Sequence, residues 1–126
     1  MTQGDLGLAW GDMPAGDKGE NVGKSIAAYE AALAVLTKDA DPSSWANTQY
    51  NLGIALADMA DVKSEDSVAW LARAIASDKA ALSVFTPDAF PRDHADAEES
   101  MDNHRRAYEA AGGPATRPFD DIPPAE

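Results

Sequence analysis

Displaced against itself by 49 residues, the sequence meets a second copy of its own pattern. Ile26, Ala31, Leu33, Val35, Thr37, Asp39, Ala40, Pro42 and Ala46 fall on Ile75, Ala80, Leu82, Val84, Thr86, Asp88, Ala89, Pro91 and Ala95, and Leu52 falls on Met101. An offset of 46 joins the start to the middle: Thr2-Gln3, Leu6-Gly7, Ala9 and Asp12-Met13 match Thr48-Gln49, Leu52-Gly53, Ala55 and Asp58-Met59. A fixed long period marks one supersecondary unit used repeatedly, each copy burying its apolar face against the next. The unit has two segments, and the chain starts partway through one.

Apolar residues in both segments recur at three- and four-residue steps, the helical period. One segment gives Ile26, Tyr29, Leu33 and Leu36, then Val68, Leu71, Ile75, Leu82 and Phe85; the other gives Leu6, Ala9, Trp10 and Met13, then Trp45, Leu52, Ala55, Leu56 and Met59. No alternating β-branched run competes. Asp41-Pro42-Ser43 and Pro91-Arg92-Asp93 each place a proline just ahead of a capping side chain, and the residues Met13 to Asp17 break the chain between segments. The expectation is an all-α domain over 1–111 of about five antiparallel helices, near 2–13, 20–38, 43–60, 65–86 and 92–111. A tail over 112–126 follows.

Bulk properties narrow the function classes. At 126 residues the chain suits one core. A net charge of −12 argues against nucleic acid or an anionic membrane surface, because phosphates must be met by Lys and Arg. No segment has the roughly 20 apolar residues needed to span a bilayer, and the start lacks a secretory pattern, so a cytoplasmic location is expected. Cysteine is absent, which excludes disulfides and thiolate chemistry. Abundant alanine favours helices packed closely through small side chains.

Leu52-Gly53 followed by Leu56, together with Ala28, Tyr29, Ala32 and Leu33 in the neighbouring segment, resembles the tetratricopeptide repeat (TPR). The string GDKGENVGKSIAAYEAALAVLT followed by DPSSWANTQYNLGIAL is similar to the long-period type found in bacterial tandem arrays. The resemblance covers about residues 2–110 and implies a short solenoid of stacked helix-turn-helix units. A mid-helix glycine costs about 1 kcal/mol relative to alanine, so Gly7 and Gly53 imply close approach of a neighbouring helix.

Two departures from the repeat stand out. Tyr29 is replaced by Asp78, and Leu52-Gly53-Ile54-Ala55-Leu56 by Met101-Asp102-Asn103-His104-Arg105. The latter reads as the polar outer face of a terminal unit. The first helix, with Leu6, Leu8, Trp10 and Met13, has no such cap. Its apolar edge is left for a second protomer, a partner or the next helix, which raises self-assembly as an alternative function.

Candidates for chemistry are sparse. His94, Glu98 and Asp102 share one helical face at steps of four, a pattern able to hold a divalent cation in a small metal-dependent enzyme. The simpler expectation is that both histidines pack or cap at repeat positions, His94 in the slot of Trp45 and His104 in that of Ala55. GDKGENVGKS ends like a phosphate-binding loop, but Gly19 precedes Gly23 by four positions rather than five and no strand comes first. No serine sits in a nucleophile elbow. Neither an enzyme nor a cofactor is expected.

The resemblance implies instead a protein or peptide partner held in a concave groove. Carrying over the family's groove positions gives Leu8 and Asp12 from the first helix. Asn47, Tyr50, Ile54 and Asp58 come from the middle one, and Asp96, Glu99, Asn103 and Arg106 from the last. This groove is mixed apolar and acidic. With Arg106 its single cation it suits a basic or amphipathic peptide rather than a carboxylate terminus. The tail, rich in Pro and Gly, is expected to be disordered, with Phe119 and Ile122 as apolar islands able to dock on the body or a partner.

Overall fold

The computed structural model describes residues 18–112 and Ile122. These form four α-helices and no strand: α1 (Lys18–Val35), α2 (Pro42–Val62), α3 (Ser67–Leu82) and α4 (Pro91–Ala110), with a 3-10 turn at Ser64–Asp66 ahead of α3. The helix expected near 2–13 lies outside the described residues, as do Leu8, Asp12 and Phe119.

The 49-residue register is reproduced bond by bond in the two long turns. After α1, Thr37 O accepts from Asp41 N at 3.0 Å and Thr37 Oγ1 from Ala40 N at 3.1 Å. After α3, Thr86 O accepts from Phe90 N at 2.9 Å and Thr86 Oγ1 from Ala89 N at 3.4 Å. A threonine that serves the backbone locally ends a helix in favour of a turn. For this reason α1 stops at Val35 and α3 at Leu82, short of the expected ends at 38 and 86.

Proline opens both α2 and α4, but the caps differ from expectation. Asp41, before Pro42, is the side chain that caps α2, accepting from Ser44 N at 3.2 Å, a contact of about 1 kcal/mol. At α4 the N-cap is Phe90, with no side-chain bond, and Asp93 in the first turn meets the helix dipole.

The helices pack mainly on their neighbours in sequence, with a thin contact between α2 and α4. The short connections turn each helix back along the one before. The core is rich in alanine: Ala28, Ala32, Ala46, Ala55, Ala60, Ala74, Ala80, Ala81 and Ala97 are buried, with Val22, Ile26, Tyr29, Leu52, Leu56, Leu71 and Ile75, in clusters bridged by half-buried Leu33, Ala57 and Trp70. Fully burying a side chain such as Leu56 or Ile75 contributes about 1.5–3 kcal/mol.

Gly53 supplies the close approach that its place in a helix demands. A Cβ there would stand 2.8 Å from Asp78 Oδ1 and 3.3 Å from the Ala74 carbonyl oxygen, so α2 and α3 meet backbone to helix face. Gly53→Ala is expected to destabilise the protein by about 1 kcal/mol net. Overpacking of ~1–3 kcal/mol outweighs the helix-propensity gain, and chemical denaturation would measure the difference.

Two buried features complete the frame. Gln49 is 1% exposed, and neither atom of its amide has a partner among the described residues. Ile122, one of the two apolar islands of the tail read as able to dock on the body, is buried among Ala60, Leu71, Ile75 and Tyr108. Its carbonyl accepts from Lys79 Nζ at 2.6 Å. At this residue the tail packs on the α3–α4 side of the bundle.

Candidate functional site

Asp78 is the organising residue. It stands where the first copy of the unit has Tyr29, on the face of α3 between α2 and α4, and it is fully buried. A carboxylate there needs donors, and α4 provides them one turn apart. Ser100 Oγ donates to Asp78 Oδ1 at 3.2 Å, and His104 Nδ1 donates to Asp78 Oδ2. Both are themselves buried. Gly53 on α2 leaves room for the carboxylate on the opposite side.

Burial pushes the Asp78 carboxyl above its ordinary value, and the bonds from His104 and Ser100 only partly oppose this. A carboxyl raised in the folded state favours folding in its protonated form. Its contribution is therefore fully present below the ordinary value of 3.8 and is lost as pH rises through the raised one. In Asp78→Asn this component is absent, so the native chain should lose stability relative to the variant across that window. Urea denaturation at several pH values would show the divergence, and parallel curves would deny it.

Above this floor, α2 and α4 enclose a groove with two clefts. The first, about 280 Å³, is lined by Tyr50, Ile54, Asp96, Glu99, Ser100, Asn103 and His104. The second, about 470 Å³, continues from His104 past Asp58, Asp61 and Leu71 to Ala107, Ala110 and Ala111. Of the groove positions expected from sequence, Tyr50, Ile54, Asp96, Glu99 and Asn103 share the first cleft, and Asp58 borders the second. Asn47 is exposed beyond both. Arg106, with its side chain 70% exposed, pairs with Asp102 at 2.7 Å. Ser100, His104 and the Asp78 floor were not among the expected positions. The paired departures from the repeat at 78 and 104 are the signal that marks them.

The first cleft is electronegative. Burial raises the Tyr50 hydroxyl above its usual range, and the carboxylates of Asp96, Asp78, Glu99 and Asp93 raise it further. No family model, curated protein or solved structure matches the chain. The site is therefore argued from its own chemistry.

The face carrying His94, Glu98 and Asp102 does not converge on one point. His94 Nδ1 donates to the Phe85 carbonyl at 2.9 Å and its Nε2 lies 3.2 Å from Glu98 Oε1. Asp102 pairs with Arg105 and Arg106 instead, and the Arg105 bond holds its carboxyl below the usual range. Among the described residues no three His, Asp or Glu side chains are grouped to hold a metal ion. No helix among them is long and apolar enough to cross a membrane. The edge proposed for self-assembly, formed by Leu6, Leu8, Trp10 and Met13, lies outside the described residues.

Proposed function

We propose that the chain is a non-enzymatic protein-interaction module, a short TPR-like helical repeat whose α2–α4 groove binds a basic or amphipathic peptide. The observation that carries this is the first cleft. An aromatic side chain lies half-buried beside apolar Ile54, under the influence of four carboxylates, with Asn103 offering amide hydrogen bonds. Aromatic surface gives contact area at low entropic cost, and the surrounding charge selects lysine or arginine. The duplicated turn chemistry supports the repeat assignment, because Thr37 and Thr86, 49 residues apart, make the same bonds to the backbone.

Ser100 and His104 both donate to the fully buried Asp78 carboxylate, which ties the floor of the groove to α4.

The test is a fluorescence titration of the whole chain with a labelled amphipathic peptide of alternating Leu- and Lys-rich turns, and with its Glu-for-Lys counterpart. The lysine peptide should bind, more weakly as salt is raised, and the glutamate peptide should not. Asp96→Lys combined with Glu99→Lys should reduce lysine-peptide binding by about tenfold, or 1.4 kcal/mol. Equal binding of the two peptides would remove the proposal.

A further inference from the structure

We propose that the α3–α4 face around Leu71, Ile75 and Tyr108 is a second peptide-binding surface. It takes an extended segment with an isoleucine ahead of proline, and Ile122 of the same chain occupies it in cis. Ile122 is buried there, and its carbonyl oxygen accepts from Lys79 Nζ at 2.6 Å. The face therefore holds one side chain and one backbone atom together.

The repeat accounts for an apolar seat at this place. At the 49-residue offset Val22, Ile26 and Met59 fall on Leu71, Ile75 and Tyr108. In the first copy those three pack with Ala74 of α3, the next helix along. In the second copy their counterparts pack with Ile122. The counterpart of Ala74 is position 123, one residue further on. Ile122 thus stands where the repeat stacks its next helix.

The local sequence decides what kind of segment fits. Pro123 and Pro124 follow Ile122. Proline is excluded from a helix interior, and its ring drives the residue before it to extended backbone. Ile-Pro-Pro therefore offers one branched side chain and an open carbonyl where a helix would offer a stripe. Few contacts hold it, so a competing segment of the same chemistry can displace it. The seat shares no residue with the first cleft of the α2–α4 groove, so occupancy of the two surfaces is read separately.

The probe is the peptide RPFDDIPPAE, the sequence of residues 117–126, titrated to millimolar concentration into the full ¹⁵N-labelled chain and followed by two-dimensional NMR. In Ile122→Ser it should give saturable shifts of the Ile75, Lys79 and Tyr108 amides. The native chain should bind it about tenfold more weakly, because its own tethered segment competes. A peptide with aspartate in place of its isoleucine should bind neither chain. The proposal is overturned if Ile122→Ser shows no saturable shift, if both chains bind the peptide equally, or if the shifts centre on Tyr50 and Ile54. Should Ile122→Ser fail to fold, the native chain still decides. A large excess of peptide should move the amide of its own Ile122 together with those of Ile75 and Tyr108, and an Ile122 signal that stays fixed overturns the proposal.

Discussion

Replacing His104 with alanine is expected to destabilise the fold by about 3 kcal/mol at neutral pH, because it leaves a buried carboxylate without its main donor. Asp78 stays fully buried in that variant, with Ser100 its remaining side-chain partner among those described. Its carboxyl is already pushed up by burial with His104 in place. Without the imidazole bond it rises further, so the penalty depends on pH with a definite sign. Well below the ordinary carboxyl value the acid is neutral in both states and the loss is small. Moving upward through the raised value, the unfolded state ionises and the folded state resists, so the loss grows. Adding Asp78→Asn should recover much of the stability at pH 7, because the ionisable group is gone. Equilibrium denaturation of the single and double variants measures the coupling. Additive effects would mean that the two residues do not act as a pair.

Tyr50→Ala is the second change with a large expected effect, this time on binding. The side chain sits in the first cleft beside Ile54, Asp96 and Glu99. Buried aromatic anchors at the centre of an interface commonly cost about 2 kcal/mol or more when truncated, roughly 30-fold in affinity. The fold should tolerate the change, since Tyr50 lies at the surface of its cluster rather than within it. Tyr50→Phe separates the ring from the hydroxyl: retention of most of the affinity assigns the effect to the aromatic face. An unchanged affinity in Tyr50→Ala, with the fold intact by circular dichroism, would move the peptide elsewhere.

The repeat made much of this legible in advance. The offset that aligns Thr37 with Thr86 and Pro42 with Pro91 located both long turns, because threonine and proline act on their own backbone and local chemistry survives in sequence. Gly53 was legible for a similar reason: a costly residue in a helix demands a neighbour close by, and Asp78 and Ala74 are that neighbour. Helix ends were overestimated, at 38 and 86 against Val35 and Leu82, because apolar Leu36 and Phe85 extend the helical pattern into the turns that Thr37 and Thr86 hold together.

The Asp78–His104 pair shows where one-dimensional reasoning stops. Each residue was visible as a departure from the repeat, Asp for Tyr and His for Ala, and each alone reads as polar decoration of a terminal unit. The helices bring them together across 26 positions, and only packing reveals that one departure satisfies the other. Ile122 is a partial case: the sequence marks it as an apolar island able to dock, but only packing shows that its seat is formed by Leu71, Ile75 and Tyr108.

The most direct test of the groove as a binding surface is residue-by-residue mapping. The ¹⁵N-labelled chain is titrated with the lysine-rich amphipathic peptide, and amide shifts are followed to saturation. Tyr50, Ile54, Glu99 and Asn103 should move together on one binding curve, with α1 largely still. Saturable shifts centred on α1, or binding that leaves these four residues unmoved, would contradict the assignment of function to the α2–α4 groove.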